Sequence, residues 1–152
     1  FGDAMDQMKK HGLVNTVYDA VASGKPFMGI CLGMQLLFGN SQESPGVSGL
    51  GIFKGSILKF PPDMGLKVPH VGWNQLNCRQ PESIYRCADK KFVYFVHSYY
   101  LKAEEAEIVS CTSNYGMEFH AAIEKENVSA SQFHPEKSGE VGLEILKAFV
   151  SR

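Results

Sequence analysis

Val14, Val17, Tyr18 and Val21 recur at three- and four-residue spacing and line one apolar face, the pattern of a helix near the start of the chain. Ser23-Gly24-Lys25-Pro26 ends it, because glycine releases the backbone and proline cannot continue the hydrogen-bond ladder. Phe27-Met28-Gly29-Ile30 is an apolar run of strand length, and residues 32–38 read as a helix. A strand, a glycine-flanked turn and a helix therefore fit into about a dozen residues. Residues 39–51 are rich in Gly, Ser, Asn and Pro and read as loop.

Strands are predicted over residues 56–60, 68–76, 92–101, 108–112, 117–124 and 128–133. Asn114-Tyr115-Gly116 and Lys125-Glu126-Asn127 supply turns between the last three. A helix from Ser138, apolar at Val141, Ile145, Leu146 and Phe149, closes the chain. The order helix, strand, helix, many strands, helix predicts an α/β layer sandwich with an antiparallel β portion. A doubly wound domain ordinarily opens with a strand. This chain opens with a helix, so either the fold is unusual or a first β-α segment is missing.

The 152 residues suit one domain, residues 1–152. At 44% hydrophobic and 20% charged, the composition excludes disorder and fibrous repeats. Fifteen basic against sixteen acidic residues leave a net charge of −1, so no charge field draws the chain onto nucleic acid or an anionic membrane. The longest apolar run, residues 92–96, falls far short of the roughly 18 residues of a membrane span. Cys31, Cys78, Cys87 and Cys111 form no C-x-x-C pair, and no His/Asp cluster suggests a metal. The four are expected to be free thiols in a reducing, cytoplasmic compartment.

Cys31 carries the clearest chemistry. Gly29-Ile30-Cys31-Leu32-Gly33 is the cysteine form of a nucleophile elbow, G-x-C-x-G, at a strand-to-helix turn. The two glycines permit the turn and close packing, and the helix N-terminus is expected to lower the thiol pKa. Cysteine chemistry near neutral pH needs a base, and the base needs a third group to orient it. Gln132-Phe133-His134-Pro135-Glu136 offers both, with His134 and Glu136 two residues apart after an apolar strand. His11, His70, His97 and His120 read more simply as structural histidines, and Cys78, Cys87 and Cys111 carry no catalytic signal.

Gly-Ile-Cys31-Leu-Gly-Met-Gln35 and Gln-Phe-His134-Pro-Glu136-Lys-Ser resemble the class I (triad) glutamine amidotransferases. Val68-Pro-His-Val-Gly-Trp-Asn74, Tyr94-Phe-Val-His-Ser-Tyr99 and His134-Pro-Glu-Lys-Ser-Gly-Glu-Val-Gly142 are similar, more specifically, to the glutaminase subunit family of imidazole glycerol phosphate synthases. The resemblance implies a three-layer, flavodoxin-like α/β sandwich with an added antiparallel β portion. It implies hydrolysis of glutamine through a thioester on Cys31, with His134 as base and acid and Glu136 orienting it. It places Gln35, Glu43, Ser98 and Tyr99 around substrate glutamine, and Trp73, Tyr94 and Lys137 near a cyclase partner of β/α-barrel fold that receives the ammonia. No cofactor is implied. In the family a P-G-V-G segment, source of an oxyanion-hole N–H, precedes the residues matching Phe1-Gly2-Asp3, so an N-terminal truncation is expected. Two readings compete. One is another Cys-His-Glu hydrolase of the same fold, a γ-glutamyl hydrolase or a peptidase; the other is a silent chain that only binds a partner. Gln35 favours glutamine over a peptide.

Overall fold

A computed structural model describes all residues, 1–152. The opening helical pattern is divided in two: α1 (Gly2–Lys10) and α2 (Leu13–Ala22). Gly12 separates them with φ 67°, a left-handed conformation that a side chain would resist. Met5 and Met8 of α1 and Val14, Val17 and Val21 of α2 pack into one apolar cluster. No helix is long and apolar enough to cross a membrane.

The main sheet is mixed. β1 (Phe27–Ile30) lies parallel to β10 (Val128–Ser131), which runs antiparallel to β9 (Glu118–Lys125). The order continues through β7 (Tyr99–Ala103) and β3 (Phe53–Lys59) to β2 (Phe38–Ser41), parallel to β3. β9 also pairs with β8 (Val109–Asn114), which in turn pairs with the short β5 (Asn77–Cys78). A separate antiparallel ribbon joins β4 (His70–Gln75) to β6 (Phe92–His97). The strands feed two cores by alternation, since successive side chains point to opposite faces. Leu101, Ile57, Ile123 and Ala130 meet α1 and α2 on one side. Tyr100, Phe119, Phe133 and Phe95 meet α4 (Gly139–Val150), through Ile145, on the other. The result is the α/β arrangement of helix, sheet and helix expected from the sequence, with an antiparallel portion.

Three local expectations are corrected. The helix after Cys31, α3 (Leu32–Gln35), has four residues and does not reach Phe38. Leu36 and Leu37 are buried, and their carbonyls accept the N–H groups of Leu50, Ile52 and Phe53. The chain is thus drawn into β2, inside a stretch whose composition reads as loop. The single strand expected over 92–101 is two strands, because Ser98 breaks it and β6 joins the ribbon while β7 joins the main sheet. Cys78 and Cys111 are not free thiols. They stand directly opposite one another in the β5–β8 pair, with Cα atoms 4.1 Å apart, and their sulfurs are bonded. Directly opposed strand residues are close enough for such a bond, a proximity that linear spacing does not encode.

Gly142 of α4 has no room for a side chain. A Cβ there would collide with the backbone carbonyl of Pro135 and lie 3.0 Å from Ser138 Cβ. Gly33, by contrast, has nothing within 4 Å of its would-be Cβ. Gly142→Ala should therefore destabilise the domain by about 1–3 kcal/mol, and Gly33→Ala by no more than about 0.5 kcal/mol. Denaturant melts of the two variants check this, and equal losses would contradict it.

Candidate active site

The nucleophile position is built by strand pairing. The register of β1 with β10 runs from Phe27↔Val128 to Ile30↔Ser131, and the Cys31 N–H donates to the Ser131 carbonyl at 2.7 Å. The chain then turns sharply. Cys31 has φ 53° and ψ −109°, a conformation rare for a residue with a side chain and characteristic of functional turns. Its carbonyl accepts the N–H groups of Met34 and Gln35. Gly29 makes the turn possible, because a Cβ there would sit 2.9 Å from the Gly33 carbonyl oxygen. Gly33 itself is not needed for close packing, contrary to the symmetrical role read from the motif.

β10 ends at Ser131, the partner of Ile30, and His134 follows shortly after. The His134 N–H donates to the Tyr94 carbonyl at 3.0 Å, and its own carbonyl accepts Ser138 Oγ–H at 2.6 Å. His134 Nδ1 lies 2.6 Å from Glu136 Oε1. With Nδ1–H donating to the carboxylate, Nε2 carries the lone pair. That Nε2 is buried and has no hydrogen-bond partner, so His134 and Cys31 are not yet bonded. An orphaned buried acceptor is a rarity in folded proteins, and here it belongs to the one histidine suited to take a proton.

The thiol differs from the sequence-based expectation. Burial pushes the Cys31 thiol pKa up, not down. The Leu32 backbone N–H and the Gln132 side chain pull it back, Glu136 raises it further and Lys137 lowers it. A four-residue helix gives too little dipole to outweigh desolvation. Cys31 is therefore a neutral thiol at rest that needs a base.

A cavity of about 340 Å³ opens at the elbow, and Cys31, Gln35, Glu43, Ser98 and Tyr99 all line it. The structure thus brings the nucleophile and all four residues assigned to glutamine onto one space. Gln35 is 5% exposed and its Nε2 donates to the Tyr99 carbonyl at 3.2 Å and to Gln132 Oε1 at 2.9 Å. Gln132, fully buried, is not singled out by the sequence motifs, yet its Nε2 lies 3.6 Å from Cys31 Sγ. A glutamine between a fully buried strand and buried Phe133 is the signal that could have found it. No group of three His, Cys, Asp or Glu side chains is placed to hold a metal.

Trp73 and Tyr94 are directly opposed on the ribbon, their rings 6.2 Å apart. Val71, Trp73, Phe92 and Val96 make its outer face apolar and exposed, Trp73 at 56%. Lys137 is exposed in the turn that carries Glu136.

Residues 5–152 match the family described as Glutamine amidotransferase class-I. The chain is 50% identical to the imidazole glycerol phosphate synthase subunit HisH of Syntrophotalea carbinolica, over 98% of this chain and 75% of that protein. It is 48% identical to the protein of the same name from Methanothermobacter thermautotrophicus, over 99% of this chain and 73% of that one. In fold it is similar to a putative GMP synthase component from Thermoplasma acidophilum, with TM-score 0.61 and 18% identity over 94% of this chain and 65% of that one. A glutamine amidotransferase from Thermotoga maritima gives TM-score 0.60 and 17% identity, over 95% of this chain and 56% of that one. With the family match running over residues 5–152 and identity sustained over nearly its whole length, the chain belongs to the class I glutamine amidotransferases, in the branch of the HisH subunits of imidazole glycerol phosphate synthase.

Proposed function

We propose that this chain is the glutamine-hydrolysing part of an imidazole glycerol phosphate synthase, in histidine biosynthesis, and that it passes ammonia to a cyclase subunit docked on the β4–β6 ribbon. The supporting observation is that the His134–Glu136 pair, 2.6 Å between Nδ1 and Oε1, follows the end of β10 whose parallel partner β1 leads into Cys31, which lines one cavity with Gln35 and Tyr99.

Each step follows from the residues. Cys31 Sγ attacks the side-chain amide carbon of glutamine while its proton passes to His134 Nε2. The amide oxygen becomes an oxyanion, and the Leu32 N–H beside the sulfur supplies one donor to it. His134 returns the proton to the leaving nitrogen, ammonia departs and the acyl group stays on sulfur as a thioester. A water, deprotonated by the same Nε2, attacks the thioester carbonyl and releases glutamate and the thiol. Glutamine and water thus yield glutamate and ammonia, with the proton shuttled throughout by His134. Glu136 steadies the imidazolium that forms between steps.

The apolar outer face of the ribbon is where the partner sits. Trp73 and Tyr94 are the aromatic anchors, of the kind that dominates interface energy, and Lys137 contributes a charged contact beside the triad. Tyr94 also reaches the triad directly, since its carbonyl holds the His134 N–H.

In the full-length protein with its cyclase, Cys31→Ala should abolish glutamine-dependent turnover and leave ammonia-dependent cyclase activity intact. Parallel loss of both activities would refute the assignment. His134→Ala should lower kcat by about 10²–10⁴-fold, and Glu136→Gln by clearly less, as steady-state glutamine hydrolysis can measure. Trp73→Ala should weaken cyclase binding by about tenfold or more, read by titration calorimetry, with glutamine affinity little changed. In a Cys87→Ser background, iodoacetamide should alkylate Cys31 more slowly at pH 7 than it does an unperturbed thiol. The rate should climb only above the ordinary thiol pKa; rapid labelling at pH 6 would contradict the neutral resting thiol.

A further inference from the structure

Three hydrogen bonds run in line from the ribbon to the glutamine cavity. Asn74 Nδ2 lies 3.4 Å from His70 Nε2, His70 Nδ1 lies 3.0 Å from His97 Nε2, and His97 Nδ1 lies 2.8 Å from the Tyr99 carbonyl oxygen. Chemistry fixes their direction. A carbonyl oxygen only accepts, so His97 carries its proton on Nδ1. A neutral imidazole then offers only a lone pair at Nε2, so His70 must donate from Nδ1. His70 Nε2 is in turn an acceptor, matched to the Asn74 amide, which only donates from Nδ2. Every donor meets an acceptor, and the row is consistent with two neutral rings and with no other protonation state.

The surroundings enforce this. His70 is 3% and His97 6% exposed. His70 stacks on Tyr115 at 3.9 Å and on Phe95 at 4.9 Å, and Phe60 meets His97 edge-on at 5.2 Å. Burial holds the His70 pKa down at about 4 and the His97 pKa at about 3. A buried polar row costs stability unless it is fully matched, and a fold needing only a core here would be served by apolar side chains. The far end of the row shows its use. The Tyr99 carbonyl that receives His97 also receives Gln35 Nε2 at 3.2 Å. Gln35 is bonded to Gln132, and Gln132 faces Cys31 Sγ.

We infer that His70 and His97 are positioning residues for glutamine: through the Tyr99 carbonyl they set the Gln35 amide, and they tie that setting to the β4 strand whose outer face carries Trp73. The inference rests on the glutaminase reading for its kinetic consequence but not for its geometry. The backbone oxygen of Tyr99 has two lone pairs, and with His97 on one of them the Gln35 amide has a single place to donate. Without His97 the β6–β7 turn loses the group that orients that oxygen, and Gln35 keeps only Gln132 as a fixed partner.

The test uses the full-length protein with its cyclase. His97→Ala should raise the KM for glutamine about tenfold, the value of one matched buried hydrogen bond, with kcat changed less than about threefold. His97→Asn places an amide N–H where Nδ1–H was, and should bring the KM back to within about threefold of wild type. An unchanged KM in His97→Ala, an equal loss in kcat, or no rescue by His97→Asn would each overturn the inference. A core-packing role would predict no such rescue, because Asn restores little of the ring's apolar contact. Nitrogen-15 NMR of the wild type at pH 7 gives a readout free of activity and of variant folding. Both rings should show the neutral Nδ1–H tautomer; a charged ring or an Nε2–H tautomer at either would overturn the inference. Wild-type protein without glutamine turnover would sink the glutaminase reading instead, and the tautomers would still decide the row.

Discussion

The parallel pairing of β1 with β10 is the constraint on which the site depends. The Cys31 N–H is the last rung of that ladder, donated to Ser131, and the chain leaving β10 delivers His134 three residues later. Two groups far apart in sequence therefore leave the sheet at the same end, where open α/β sheets place their ligands. All four residues of β10 are buried, with β1 on one side and β9 on the other. The strand ends are consequently held more firmly than loops would hold them. The left-handed Cys31 backbone persists because pairing on one side and the tight Gly29–Gly33 approach on the other leave it no alternative.

The ribbon is the second element of the site, and it touches the first through the backbone. Tyr94 turns its side chain outward, yet its carbonyl holds the His134 N–H and its N–H donates to Ser138 Oγ. Ser138 in turn donates to the His134 carbonyl, and Gly142 lets α4 close against Pro135. The turn carrying His134 and Glu136 is thereby clamped between the ribbon and α4. Alternation along β4 and β6 does the sorting: Val71, Trp73, Phe92 and Val96 face out, while His70, Val93, Phe95 and His97 face in. A load on the outer face is a load on strands whose inner face borders the cavity at Cys31.

Local pattern made β1, β9, β10 and α4 legible, because each is a continuous apolar or amphipathic run closed by turn residues. The elbow was legible too, since G-x-C-x-G is a contiguous constraint, and so was the His134–Glu136 pair. What failed was whatever tertiary contact decides. β2 exists because Leu36 and Leu37 carbonyls find N–H groups beyond a loop of unhelpful composition. Ser98 splits a stretch that reads as one strand because the two halves join different sheets. The opposition of Cys78 to Cys111 requires a register between strands that sequence does not announce. Gln132 and the two histidines of the ribbon each look satisfied or incidental alone, and acquire meaning only as neighbours.

The thiol shows why the site is built to generate its nucleophile rather than to store it. A permanent thiolate at the mouth of a 340 Å³ cavity would react with alkylating and oxidising agents irrespective of substrate. Burial prevents that by favouring the uncharged form of Cys31. Glu136 acts in two opposite senses. Before proton transfer its carboxylate raises the thiol pKa and so keeps the sulfur neutral. Once the proton is on His134 Nε2, the same carboxylate, 2.6 Å from Nδ1, stabilises the imidazolium and so favours the state in which sulfur attacks. In the proposed mechanism the free Nε2 is the acceptor for this proton. The turn that carries His134 is bonded to the ribbon through Tyr94. The proposed base and the ribbon proposed to dock the cyclase are thus joined by one backbone hydrogen bond.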